Sequence, residues 1–411
     1  MRGQFIPVRK SEIVAALAAA DGPANAAGED FPKFCRLLGL TLHYEFFDEL
    51  ERLRDGYFHF DPLVVAEHSG SEQAEAAYAD LTQTLELLLA RANFVEVPPE
   101  EIDRSYRERG LLPVEVKSPV EEYRSIRFFK RGERIEEVPA RDWLGRPAGS
   151  RQETLYSDVV LVAAVKPEPA PARRRLHRPR GKVHGSVLIK YFHDIASADL
   201  NTLLPEVRVI MNRRDRWVLG LPALAGGVPL LLKLAPTVAV LLLLAGVQLG
   251  SNRSVETDHL KQALAVLSGL VALGSFAAHQ WLKYQRKALR YQVVIHDSIY
   301  FRNADNNAGV FNALVGAAEE QEFKEAVLAY AFLRAEPMVK AELDSRIEAW
   351  LGAHFGVDVD FEVDDGLAKL ERYGLLAMDG EGLSVVPLGE ALARLDRQWD
   401  AYFNFDRTVG A

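Results

Sequence analysis

Cysteine is nearly absent from this chain, and with Cys35 alone no intrachain disulfide can form. Positive charge is also short: 49 Lys and Arg stand against 58 Asp and Glu, a net charge of −9. Such a balance lacks the basic footprint of a general nucleic-acid binder. Missing too are the glycine-rich phosphate loops, the G-x-S-x-G elbow, the H-E-x-x-H helix and any C-x-x-C pair. The common phosphate, acyl-transfer and zinc signatures therefore offer no guide to chemistry. No cofactor and no metal site is expected. The polar opening MRGQFIPVRKSEIV does not read as a signal peptide. A length of 411 residues with 48% hydrophobic residues excludes a disordered polymer, a collagen-like chain and a disulfide mini-protein, and suits two or three domains.

What is present is unevenly spread. From Trp217 to Gly250 the only charged residue is Lys233, and from Gln262 to Leu282 the only ionisable group is His279. At a rise of about 1.5 Å per residue, runs of this length match a hydrocarbon layer of about 30 Å. The reading is a transmembrane hairpin with spans about 228–250 and 262–282, joined by the polar turn 251–261. Arg208, Arg213, Arg214 and Arg216 precede it and Lys283, Arg286, Lys287 and Arg290 follow it. The positive-inside rule then puts both termini in the cytoplasm of a bacterial inner membrane, or in the matrix of a mitochondrion. Ala265, Ser268, Gly269, Ala272 and Ser275 form a small-residue stripe suited to close helix packing, within the chain or in a homo-oligomer. Lys233 reads as a snorkelling residue and His279 as an interfacial one.

Helical spacing governs 11–20, 33–54 and 71–94, as with Leu81, Leu85, Leu88 and Leu89. After VPPEE, short β-like runs appear at 113–117, 122–131, 155–165 and 182–192, the last with Val183, Val187, Ile189 and Tyr191 on one face. An amphipathic stretch, 198–214, leads to the hairpin. Residues 290–302 read as two strands completing the same sheet. The Pro, Ala and Arg tract at 166–181 is a loop whose Arg173, Arg174, Arg175, Arg178 and Arg180 suit either anionic headgroups or a solvated linker. From 318 onward the chain carries −11, leaving +2 on residues 1–317. There the order of three helices, a β-hairpin and a last helix at 388–403 is winged-helix-like. Its third helix opens with Asp364 and Asp365, so protein docking is expected and nucleic acid is not.

Three polar clusters remain. FHFDP, 58–62, holds His59 and Asp61 and reads as a turn. The second, 192–206, holds His193, Asp194, Asp199 and Glu206, with Asp199 also suited to capping a helix. The third, 301–326, alternates Asn303, Asp305 and Asn307 like a calcium loop. Gly309 is one place late and the bidentate position is Leu314, so an EF-hand is rejected. Asp-Asn-Asn-Ala-Gly suits a tight turn before a helix, and Glu319, Glu320 and Glu322 suit a solvated face.

The strings IKYFHDIASADLNTLLPEVRVIMNRRDR and DNNAGVFNALVGAAEEQEFKEAVLAYAFL, set either side of the two apolar runs, resemble the domain of unknown function 3754 family, which includes animal transmembrane protein 143. The resemblance covers approximately 100–335. It implies a two-span membrane protein, mitochondrial in the animal member, and supplies no catalytic residues.

The expected fold class is thus an α+β membrane protein. It comprises a helical region 1–96, a membrane-proximal α+β domain of 97–216 and 283–317, a transmembrane hairpin 217–282 inserted in it, and a winged-helix-like domain 318–411. The expected function is a membrane-anchored interaction or scaffold protein, with the lipid bilayer and a protein docked on the tail as partners. The alternative is a membrane-surface hydrolase or lipid-modifying enzyme using His193, Asp194, Asp199, Asp305, Glu319, Glu320 and Glu322. An oligomeric channel has the least to line a pore.

Overall fold

Five strands account for the centre of the protein, whose computed structural model describes residues 3–19, 22–24, 28, 30–64, 72–107, 115–117, 120–141, 147–167, 184–204, 208–210, 299–379 and 382–403, with scattered positions between 268 and 293. β1 (Val95–Glu96), β3 (Tyr123–Arg141), β4 (Pro147–Val165), β5 (Val187–Ala196) and β7 (Asn303–Asn306) form one sheet in the order β1-β3-β4-β5-β7. All its neighbours are antiparallel. β-Branched and apolar residues dominate the run SDVVLVAAV, which suits a strand covered on both faces, and Val159 to Val165 are all buried.

Helices cover one face. α1 (Lys10–Ala18), α2 (Asp30–Phe58), α3 (Glu72–Arg91) and α4 (Pro99–Arg107) precede the long strands. After β7 come α5 (Ala308–Ala335), α6 (Lys340–Phe355), α7 (Val363–Arg372), the hairpin β8 (Leu376–Asp379) and β9 (Gly382–Val385), and α8 (Leu388–Tyr402). α2 and α5 each serve two cores. Phe46, Leu53 and Tyr57 of α2 and Val310, Phe311 and Leu314 of α5 pack on Val160, Val162, Val187, Ile189 and Tyr191 of the sheet. Phe34 and Leu38 of α2, with Tyr330 of α5, instead join Ile6, Leu343, Leu370 and Leu395. Residues of the last hundred positions thus share a core with the first forty, and α5 crosses 317–318 without a break. Burial in this core pushes the Cys35 thiol up to about 12, which keeps it unreactive.

The corner DNNAGV explains itself geometrically. β7 pairs with β5 through Tyr191 opposite Asp305, and Asn307 then adopts φ 52°, a conformation Asn tolerates. Its amide donates to the Ile189 carbonyl at 2.7 Å and its carbonyl accepts from Val310 at 3.0 Å, turning strand into helix. A Cβ on Gly309 would lie 2.6 Å from Asp305 Oδ1, so glycine fits the first turn.

The chain divides into two compact units. The elements above belong to residues 1–107, 119–200 and 302–411. In the second, 108–118 and 201–301, β2 (Glu115–Lys117) pairs antiparallel with β6 (Arg208–Ile210).

Several expectations need correction. The fold class is not the expected α+β membrane protein with an inserted transmembrane hairpin; it is mixed α/β on a five-stranded antiparallel sheet. Among the described residues no helix is long and apolar enough to cross a membrane. The transmembrane and inner-membrane assignments fall with that finding. Low charge over twenty residues suits a membrane span without establishing one. The span 228–250, Lys233, Ala265, Gly269, Ala272 and the tract from Arg173 to Arg180 lie outside the described residues, while Ser268, Ser275 and His279 are exposed helical positions. Of the two strands expected over 290–302, positions 299–302 are helical instead, and the strand that joins β5 is 303–306.

Candidate functional site

A row of polar residues ends the apolar face of the sheet. On β4, Asp158 follows the alternation of Val160, Val162 and Ala164; on β5, His193 follows Val187, Ile189 and Tyr191; on β3, Arg131 follows Phe129. Two-residue periodicity therefore sends all three side chains to the helix-covered face. Register sets them side by side, Arg131 opposite Asp158 and Asp158 opposite His193.

The row is bonded end to end. Arg131 Nε donates to Asp158 Oδ2 at 2.7 Å, and Asp158 Oδ1 lies 2.6 Å from His193 Nδ1. The remaining guanidinium nitrogens reach the Ala92 carbonyl at 3.1 Å and the Tyr191 hydroxyl at 3.2 Å. Phe5 and Phe94 stack on the same group at 4.4 and 4.6 Å. Arg131 and Asp158 are buried, whereas the His193 side chain is 53% exposed. Burial alone would raise the Asp158 carboxyl, but the His193 hydrogen bond and the Arg131 charge outweigh it and hold it below its ordinary 3.8. The hydrogen bond to Asp158 likewise outweighs partial burial at His193 and raises the imidazole above 6.5.

The other walls come from the extended segment 5–9 and from α5. Their cavity, of about 350 Å³, is lined by Phe5 to Arg9, Arg131, Ser157, Asp158, His193, Asp194, Ala317, Glu320 and Lys324. The segment is held by side chains of α5: Gln321 Oε1 accepts from the Ile6 amide at 3.3 Å and Lys324 Nζ donates to the Ile6 carbonyl at 3.0 Å. Lys324 also pairs with Glu320 at 3.2 Å, and Glu320 accepts from the Lys10 amide at the start of α1. Burial lowers the Lys324 ammonium, with Glu320 opposing. Ser157 Oγ donates to the Gly132 carbonyl at 3.0 Å, and Gly132 at φ 68° leaves no room for a Cβ beside it.

Of the seven residues proposed from the sequence, His193, Asp194 and Glu320 meet at this cavity. Asp194, at φ 54°, is tied to Arg134 at 2.7 Å. The other four go elsewhere. Asp199 is buried in a 3-10 turn, Ser197–Thr202, and Asp305 sits in the corner before α5. Glu319 meets His43 at 2.9 Å, and Glu322 is buried against Arg91 at 2.6 Å, so this part of α5 is no solvated face. Asp61 accepts from the Leu63 amide at 2.9 Å in the FHFDP turn, a structural role.

Arg131, Asp158 and Lys324 were not singled out from the sequence, although one signal was present. A charged residue in phase with an apolar strand face, as Asp158 is with Val160 and Val162, is buried and must be paired. Among the described residues no group of three or more His, Cys, Asp or Glu is arranged to hold a metal ion.

No solved structure matches the chain. Residues 156–309 match the model of a family described as Protein of unknown function (DUF3754). That stretch contains Asp158, His193 and the Asp305–Gly309 corner but not Arg131. The match reaches the family and not any one member, so the tie to transmembrane protein 143 rests on the resemblance alone. Over residues 156–309 the chain is similar to the DUF3754 family of proteins of unknown function.

Proposed function

We propose that this protein binds a small ligand in the cavity between segment 5–9, the sheet and α5, with His193 as its titrating contact. The observation that carries this reading is the Arg131–Asp158–His193 row opening on that cavity. Asp158 takes Nδ1, which fixes the ring and its tautomer and leaves Nε2 without a hydrogen bond among the described residues. A histidine that only filled a core would be buried, and this one is half exposed. A volume of about 350 Å³ lies at the lower end of the range of about 300–1,000 Å³ for small-molecule sites.

A second reading, hydrolysis, draws on the same pair. An imidazole oriented by a buried carboxylate is the arrangement a general base requires. Ser157 spends its proton on the Gly132 carbonyl, so water would be the nucleophile. Protein docking on the acidic tail has less behind it. Much of that charge is matched within the chain: Asp364 pairs with Lys340, Glu325 with Lys369, and Glu336 and Glu342 with Arg346.

The test is a screen of small carboxylates, phosphates, amines and sugars against the full chain, read by the ring signals of His193 in NMR. Binding that moves the His193 ring ahead of the other nine histidines supports the proposal. A panel that leaves it unmoved overturns it.

A further inference from the structure

The charge balance of the cavity carries a statement about its ligand. Asp158 is one carboxylate shared by two bases, Arg131 at 2.7 Å and His193 at 2.6 Å. Once His193 is protonated, the row holds one positive charge in excess. The other acids at the cavity are already engaged. Asp194 pairs with Arg134 at 2.7 Å. Glu320 pairs with Lys324 at 3.2 Å and accepts from the first turn of α1 at 3.3 Å. Arg9, the residue preceding α1, is exposed, lines the same cavity and makes no ion pair among the described residues. The imidazolium, which shares Asp158 with Arg131, and the Arg9 guanidinium thus leave the cavity with positive charge in excess.

We propose that the cavity receives a small anion, a carboxylate or a phosphate, between His193 and Arg9. The inference rests on the cavity being a ligand site. Both groups are hydrogen-bond donors: Nε2–H of the imidazolium, and a planar guanidinium fork that matches the spacing of two oxygens on carboxylate or phosphate. The groups that face His193 from every packed element are Asp158 on β4, Arg131 and Arg134 on β3, Tyr191 and Asp194 on β5, Glu320 and Lys324 on α5, and Arg9 on the N-terminal segment. His193, raised above its ordinary 6.5 by the hydrogen bond to Asp158, gains its charge as pH falls, so anion binding strengthens in that direction.

The experiment uses the full chain and four separate probes: inorganic phosphate, acetate, methylammonium and glycerol, each titrated at pH 5.5 and pH 8 with the His193 ring followed by NMR. Phosphate or acetate is expected to bind, more tightly at pH 5.5, and which of the two binds better identifies the source of the charge. Arg9→Gln is expected to weaken that binding about tenfold, the loss of one charge-assisted hydrogen bond. Arg397→Gln removes the same charge from the exposed face of α8 and is expected to leave binding unchanged. Equal weakening by both variants would reduce the effect to net charge and overturn the proposal. Preference for methylammonium or glycerol would overturn the anion while leaving a ligand site in place. Failure of all four probes to reach the His193 ring would remove both.

Discussion

Along α5, Gln321 to Glu325 bury their polar groups against partners brought from every side, whereas one edge of the same region opens on His193, where a cation stays half exposed. In the first cluster Gln321 holds the Ile6 amide, Glu322 holds Arg91, Lys324 holds the Ile6 carbonyl and Glu325 holds Lys369 at 2.7 Å. In the second, the buried pair Arg131–Asp158 ends in an imidazole beside a cavity. The difference separates two uses of charge. Matched and enclosed, it ties the N-terminal segment, α3 and α7 to α5. Left in excess at an opening, it has a partner to find outside the chain.

The largest effect expected from breaking this comparison is in the enclosed cluster. Lys369→Ala leaves Glu325, 1% exposed, without its cation and should cost about 3–5 kcal/mol in urea unfolding. Glu325→Met with Lys369→Met removes both charges and should recover most of that loss, to within about 2 kcal/mol of the parent. A double variant as damaged as the single one would show that the pair is not merely enclosed charge. Arg131→Met, which strands Asp158, should cost about 3 kcal/mol and also release the His193 ring, since the carboxylate behind it loses its anchor.

A smaller effect concerns pH. The His193 imidazole is raised by its bond to Asp158, so its contribution to stability is complete below its ordinary value of 6.5 and disappears as pH rises through its folded value. The Asp158 carboxyl is lowered, so its contribution is complete above 3.8 and disappears as pH falls through its folded value. The urea midpoint of the parent should therefore decline above neutrality by an amount that His193→Gln abolishes. Superimposable profiles for the two proteins would deny the coupling. Smallest of all is the cost of His193→Gln itself at pH 7, expected to lie below about 1 kcal/mol because the ring is half exposed. Ligand binding and stability should then separate at His193 and move together at Lys369.

Much of this arrangement can be read from the residues. The leucines of α3, the apolar run of β4 and the alternation Val187, Ile189, Tyr191 each carry the period of their element. The Asp-Asn-Asn-Ala-Gly corner announces the start of α5 because Asn307 takes a positive φ that few residues accept and Gly309 leaves room for the Asp305 side chain. His193, Asp194 and Glu320 stand out in the sequence as members of the polar clusters 192–206 and 301–326. What escaped depends on distance along the chain. Arg131 and Asp158 are 27 residues apart and Asp158 and His193 are 35, joined only once β3, β4 and β5 take their register. AEEQEFKEA looks solvated because its charges are dense, yet Gln321, Glu322, Lys324 and Glu325 are buried by a segment more than 300 residues away and by α3 and α7. The low charge of 217–282 suggested membrane spans, but among the described residues no helix is long and apolar enough to cross a membrane.

The most direct test of the distinction is a pH titration of the His193 ring nitrogens by NMR in the parent and in Asp158→Asn. A pKa above 6.5 in the parent, with Nδ1 protonated toward Asp158 in the neutral ring, falling on removal of the carboxylate charge, is the predicted result. A value at or below 6.5 that Asp158→Asn leaves unchanged would contradict it.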